Sequence, residues 1–432
     1  MTTAEPYSIT CRELAERGPE QIPDAFIPSC HLVYSSPATL SYNSPGAFGF
    51  GVKRAGLVIP ESVMLLVAPG CCGRNSTILG SREDYAQRMY YLNMDETDLI
   101  SGRHLKVIPD AVREILKTAD PVPKAVVICI TCVDALLGTD LERVCRRAEE
   151  ETGVHVVPST MYALTREGIK PPMTAIRRTI YSLLKKGKTD PSAVNLMGFF
   201  TPVDPESDLF EVLKKIGIRT VRQVSAMKTL EEYQKMGEAN FNIVLNPESL
   251  YAAEDLKDRL GIPYIEMARI YDSERIGKQY EMFASAVGTH PDFSGLGEET
   301  RSLLGKFRER AKGTSFAVGQ MLNANPFELA YSLARTGMEP KAVIAIPSSY
   351  DYPYIRALAA IAPETRMFSG ISPTMLNYRK EIRADIAYGE DIGGYFPEAV
   401  SVGWNSEKQP FGWKGLGDLL RTTGEALSWK DF

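Results

Sequence analysis

Histidine, cysteine and charge of one sign are all scarce in this chain, and each scarcity removes a class of protein. Four histidines and seven cysteines among 432 residues leave few side chains for metal work. An odd thiol count in so long a chain argues against a disulfide scaffold and for reduced cysteines in a cytoplasm. Forty-nine basic residues against 54 acidic ones give a net charge of -5. No Lys/Arg block stands out, so neither a nucleic acid nor a membrane surface is implied as a partner. No apolar run approaches the roughly 20 residues of a membrane span. The opening MTTAEPYSITCRELAERG carries acids and no apolar signal core, so a cytoplasmic location is expected rather than export. The phosphate loop G-x-x-x-x-G-K-(S/T) is missing as well. LLKKGKTD lacks its leading glycine, and Gly46, Gly49 and Gly51 do not follow the G-x-G-x-x-G spacing, so no nucleotide is expected on this chain.

What the sequence does contain is a repeated joint. An amphipathic helix, a glycine and a short apolar strand follow one another at AEEETGVHVV (148–157), LKKIGIRTV (213–221), LKDRLGIPYI (256–265) and LARTGMEPKAVIAI (333–346). The glycine stands where a left-handed residue closes a helix without a Cβ penalty. Runs such as VMLLV (63–67), AVVICI (125–130) and AVIAI (342–346) do not alternate with polar residues, as expected of parallel strands covered on both faces. The fold class read from this is α/β, with doubly wound, Rossmann-like domains of mostly parallel sheet and sites at the carboxyl ends of the strands. The polar stretch LKKGKTDPSA before VNLMGFF, and the charged helix near 296–312 before TSFAVG, divide the chain into three domains: 1–190, which carries the cysteines of interest, 191–300 and 301–432.

Cys71 and Cys72 follow an apolar strand and a Pro-Gly turn in SVMLLVAPGCCGRN. Cys132, in AVVICITCVDALLGTD, ends another strand ahead of a helix beginning near Thr139. In a doubly wound sheet both loops open on one edge, so thiols distant in sequence can meet. Cys30, in FIPSCHLV, is a third candidate. Strand-end thiols grouped in this way suit soft iron in an iron-sulfur cluster. The plainer alternative is that each is a small buried hydrophobe, which suits Cys129 inside its strand and Cys145 on the helix LERVCRRAEE best, while Cys11 carries no signal. A structural zinc site would show a second Cys pair or His partners, and the Cys129–Cys132 spacing has neither.

Taken together these segments resemble the nitrogenase component 1 family, which includes molybdenum-iron protein subunits, their cofactor-assembly relatives, dark-operative protochlorophyllide reductase subunits and the reductive cyclase of coenzyme F430 synthesis. VAPGCCGRN matches the family's Gly-Pro-x-x-Cys loop with Cys72 in register. Thr131-Cys132-Val-Asp-Ala-Leu-Leu-Gly138-Thr-Asp140-Leu matches its second cysteine segment. NMDETDLISGRHLKVIPDAV between them, and GVHVVPSTMYAL, VNLMGFF and LKKIGIRTVRQVSAMKTLEEY after them, keep the family's order. The resemblance implies that Cys72 or Cys71, together with Cys132, helps to hold a cluster at a subunit interface, either a four-iron cubane (4Fe-4S) or an eight-iron P-cluster type (8Fe-7S). The family's first cysteine falls near Gly46, where this chain has none, so Cys30 inherits that role only if NSPGAFGFGVKRAG contains an insertion; otherwise Cys71 supplies the extra thiolate.

Two departures from the pattern bear on activity. The family's cofactor-binding Cys corresponds to Asn246, and VGWNSEKQPFGWKG contains no His where the second cofactor ligand belongs. The expectation is therefore a nitrogenase-like reductase subunit that does not reduce dinitrogen. It would accept low-potential electrons from a separate iron protein, which alone carries ATP, and relay them to a small-molecule substrate in an inter-domain cleft. Its partner would be a homologous component 1 subunit, in a homodimer or a heterotetramer. The alternative is a scaffold for maturing a metallocluster. Candidate substrate contacts are Thr160, Asn246 and Tyr350, with Ser159, Ser348, Ser349 and Asp391 at other strand ends. Each of these suits a helix cap or turn equally well. Arg74, beside the cysteines, could balance cluster charge or dock the reductase.

Overall fold

The computed structural model describes residues 5–32, 34, 56–70, 87–161, 172–379 and 381–429. Cys71, Cys72, Arg74 and the glycines of 46–51 lie outside them. Three sheets organise the described residues. The first holds β2 (Ser62–Ala68), β3 (Met89–Asn93), β4 (Ala125–Thr131) and β5 (His155–Met161) in the order β3-β2-β4-β5. All three of its pairings are parallel. Every residue of β2 and β4 is buried, because helices cover both faces of these central strands. On one face Val63, Leu65, Val67, Val126, Ile128 and Ile130 pack against Ile108, Val112 and Ile115 of the helix Arg103–Thr118. On the other, Met64, Leu66, Val127 and Cys129 meet Ile176 and Ile180 of the helix Pro172–Ile180.

The second sheet, β7 (Thr220–Arg222), β6 (Asp190–Met197), β8 (Ala239–Val244) and β9 (Tyr264–Glu266), is also parallel throughout. It shares a core with the first, since Met197, Val224, Val244 and Leu256 belong to the same apolar cluster as Met64 and Val127. Both sheets accordingly fall in one compact unit, made of described residues of Gly49–Pro202 and Gly217–Met267.

The other unit comprises described residues of Met1–Phe48, Val203–Ile216 and Ala268–Phe432. Its six-stranded sheet runs β1 (Ser8–Thr10), β12 (Arg366–Phe368), β11 (Glu339–Ile344), β10 (Ser315–Val318), β13 (Ile386–Tyr388) and β14 (Val400–Val402). Only β1, paired with β12 through Ser8↔Phe368, is antiparallel. The amino-terminal segment, with Cys30, is thereby built onto the carboxy-terminal sheet.

The mostly parallel α/β reading holds, and so do its four glycine joints: Gly153, Gly217, Gly261 and Gly337 have φ of 74°, 93°, 66° and 96°. One local expectation shifts. Helix begins at Cys132 itself and runs to Leu137. A second helix starts at Leu141, where Asp140 Oδ1 accepts the Arg143 N–H at 3.0 Å. The change of direction falls at Gly138, whose φ is 69°.

Candidate functional site

β2 and β4 are hydrogen-bonded neighbours in parallel register, from Ser62↔Ala125 to Val67↔Ile130. Parallel strands lie about 4.8 Å apart, so the chain leaves Ala68 and Thr131 at adjacent points on one sheet edge. Beyond Ala68 come Pro69 and Gly70 and then, outside the described residues, Cys71 and Cys72. Directly beyond Thr131 comes Cys132, the first residue of its helix.

That helix is fixed from below by a buried ion-pair geometry. His104 Nε2 lies 3.0 Å from Asp134 Oδ1, and the two side chains are 1% and 0% exposed. His104 Nδ1 faces the Asp98 carbonyl at 3.0 Å and must donate to it. Thr139 donates its hydroxyl to the same Oδ1 at 3.1 Å and its N–H to the Asp134 carbonyl at 3.0 Å. Neither His104 nor Asp134 stood out in the sequence as a pair, because nothing in their spacing links two different helices.

Three buried side-chain oxygens near this edge have no hydrogen-bond partner among the described residues: Thr131 Oγ1, Asp134 Oδ2 and Ser159 Oγ. Thr131 and Asp134 flank Cys132. Ser159 stands on β5 opposite Cys129. A native interior rarely leaves such atoms unbonded without reason. The spare hydroxyls of Thr131, where β4 leads in sequence into Cys132, and of Ser159 on the neighbouring β5 suit the chemistry of an iron-sulfur group, whose sulfurs accept such donors.

The other cysteines divide as their surroundings dictate. Cys129 is buried in β4 and Cys145 in the helix Leu141–Thr152. Burial, reinforced by the Glu142 and Glu149 charges, pushes the Cys145 thiol far above its ordinary value. Cys11, whose Sγ donates to the Ile355 carbonyl at 3.3 Å, is pushed up by burial to about 12. Neither of these two gives a thiolate at neutral pH. Cys30 is exposed, at the end of the turn Pro28–Cys30. Among the described residues no group of three or more His, Cys, Asp or Glu side chains is placed to hold a metal ion.

The proposed substrate contacts take varied places. Thr160 pairs with Ile130 in the sheet. Asn246 caps the turn Pro247–Ser249, its Oδ1 accepting the Glu248 N–H at 2.9 Å. It packs so closely on β6 that a Cβ added to Gly198 would stand 2.8 Å from its backbone nitrogen. Arg177, 7% exposed, ties these strand ends together through the Gly198 carbonyl at 2.5 Å and Glu248 Oε2 at 2.9 Å, over the Phe200 ring at 4.3 Å. Tyr350 is 56% exposed. Ser348 closes a capping box with Asp351. Asp391 is buried against two backbone N–H groups. No helix among the described residues is long and apolar enough to cross a membrane.

Comparison with known proteins places these features in context. The model of the nitrogenase component 1 type oxidoreductase family matches residues 49–422. The nitrogenase iron-molybdenum cofactor biosynthesis protein NifE of a Nostoc species is 27% identical over 292 residues, which cover 62% of this chain and 59% of that protein. The same protein of Clostridium pasteurianum is 27% identical over 275 residues, covering 60% and 59%. The nitrogenase molybdenum-iron protein alpha chain of Methanosarcina barkeri is 25% identical over 235 residues, covering 51% and 43%. The matches thus span less than two thirds of the relatives' own length. A solved structure, nitrogenase Cp1 at pH 6.5, superposes with a TM-score of 0.70 at 15% identity over 88% of this chain and 92% of that one, a likeness of fold.

Proposed function

Because the chain belongs to the nitrogenase component 1 type oxidoreductase family, we propose that it is an iron-sulfur-bearing subunit which accepts low-potential electrons from a separate ATP-dependent iron protein and delivers them to a small molecule. The observation that carries the reading is the adjacency of the β2 and β4 ends, from which the Cys71–Cys72 loop and Cys132 both emerge. When bound, the cluster supplies a one-electron store at low potential.

The chain's own residues do the rest. The thiolates of Cys132 and of Cys72 or Cys71 are the ligands, and Cys30 is the further candidate. The His104–Asp134–Thr139 network holds the Cys132 turn in place. Thr131 and Ser159 leave hydroxyls available as donors, the kind of outer contact that sets a cluster's potential. The wholly buried strands beneath exclude water. Cluster nuclearity, either 4Fe-4S or the 8Fe-7S type, and a homologous component 1 subunit as partner belong to the same proposal.

Asn246 offers a carboxamide already engaged as a cap in place of a thiolate, which supports a subunit that does not hold the nitrogenase cofactor in the familiar way. The likeness to cofactor biosynthesis proteins favours a second reading, a scaffold on which a metallocluster matures. Anaerobic purification with iron and sulfide quantitation, and electron paramagnetic resonance after dithionite reduction, tests the shared premise; a colourless, iron-free protein overturns both readings. Turnover with the iron protein and ATP separates a reductase from a scaffold, since a scaffold releases its cluster to an acceptor without consuming electrons continuously.

A further inference from the structure

In the six-stranded sheet the chain runs from β10 through β11 to β12 on one side, and the strand on the other side of β10 is β13, followed by β14. The order therefore reverses between β10 and β13, and in open parallel sheets the crevice outside the carboxyl ends of such strands is where ligands bind. Here the crevice is filled by the chain. The Asp391 carboxylate, on the loop after β13, accepts the N–H groups of Gln320 at 2.9 Å and Met321 at 3.0 Å, on the loop after β10. Successive N–H groups facing one anion form a binding concavity, and here they meet one carboxylate oxygen each, Gln320 to Oδ2 and Met321 to Oδ1.

Space has been kept for this carboxylate on both sides. A Cβ added at Gly319 would come 2.3 Å from Asp391 Oδ1, and one at Gly389 would come 2.9 Å from it. Asp391 is 5% exposed, and burial pushes its carboxyl above the usual range despite the two donors. Beyond the buried Ile392, Gly393 and Gly394 are exposed.

We propose that this crevice is an oxyanion site which the chain occupies with its own carboxylate, Asp391 competing internally with a small ligand bearing a carboxylate or phosphate group that bonds to the Gln320 and Met321 amides. The Gln320 and Met321 amides bind an oxyanion without iron.

The test uses the full chain with Asp391→Ala, a change that the Asp391 backbone (φ -89°, ψ -13°) accommodates. Sodium formate, inorganic phosphate and sodium chloride are compared at equal ionic strength by titration calorimetry and by thermal unfolding. Asp391→Ala is expected to bind formate or phosphate saturably, at least tenfold more tightly than the parent protein, with a rising Tm. Formate alone would identify a carboxylate ligand, and phosphate alone a phosphate. Glu390→Gln, which removes an exposed charge from the same loop, is expected to behave like the parent. The proposal is overturned if Asp391→Ala responds to neither anion, or if Glu390→Gln gains the same affinity. Should Asp391→Ala fail to fold in chloride, recovery of the folded protein by formate or phosphate supports the site, and failure of both rejects it.

Discussion

His104 and Asp134 form a buried pair whose contact, 3.0 Å from Nε2 to Oδ1, joins the helix Arg103–Thr118 to the turn that begins at Cys132. With water excluded from both side chains, each is tolerable only because of the other, and removing one strands its partner in a dry interior. His104→Ala and Asp134→Ala are each expected to cost about 3–5 kcal/mol by chemical denaturation. The double replacement should cost much less than the sum. Single losses under about 0.5 kcal/mol, the range of an ordinary surface change, would show that the pair does not anchor the turn.

Iron content should separate the cysteines. Cys132→Ala is expected to lose at least half of the bound iron, and Cys72→Ala more than Cys71→Ala. Cys145→Ala, deep in the apolar cluster with Val126 and Ile128, should keep it. Equal losses from Cys132 and Cys145 in anaerobically prepared protein would mean that the ligands have been misassigned.

Glu328 gives a pH prediction. It is fully buried, accepting from Arg275 Nη1 at 2.9 Å and Ser332 Oγ at 2.7 Å, yet burial pushes its carboxyl up from 4.5 to about 7. A folded-state value above the unfolded one means that the native protein binds more protons than the unfolded chain between these limits. Stability from this group is therefore fully present below about pH 4.5 and is lost as pH rises through 7, by on the order of 3 kcal/mol. Glu328→Gln should flatten that part of the stability profile. An unchanged slope would locate the proton uptake elsewhere.

Arg177 should not tolerate lysine. Its planar fork reaches the Gly198 carbonyl and Glu248 together while stacking on Phe200, and an ammonium reproduces neither the fork nor the stacking. Arg177→Lys is expected to cost about 1–3 kcal/mol, the scale of a buried acceptor losing its donor, measured as a shift in denaturation midpoint. Parent-like stability would show that the strand ends of β6 and β8 hold without the guanidinium.

Much of the fold could be read from residue order. Unbroken apolar runs became the buried strands β2 and β4 because a strand covered on both faces has no solvent side to mark with polar residues. Glycines 153, 217, 261 and 337 became joints because only a residue without a Cβ takes a positive φ cheaply. The burial of Cys129 and Cys145 followed from the same patterning. What the pattern could not reach were contacts between elements distant in sequence. The antiparallel addition of β1 to β12 depends on three residues with no long-range signature, and it carries Cys30 into the unit of the carboxy-terminal sheet. Asp391 looked like any polar strand-end residue until Gln320 and Met321 were seen to donate to it.

The order of residues by itself determined local chemistry: which segments bury both faces, where helices stop, and that thiols follow two strands. Tertiary structure alone decided which strand ends are neighbours, that β2 lies beside β4, and that His104 meets Asp134 beneath Cys132. Adjacency of that kind arises when apolar area is buried among many elements at once, a property of the packed whole that no short stretch of chain encodes.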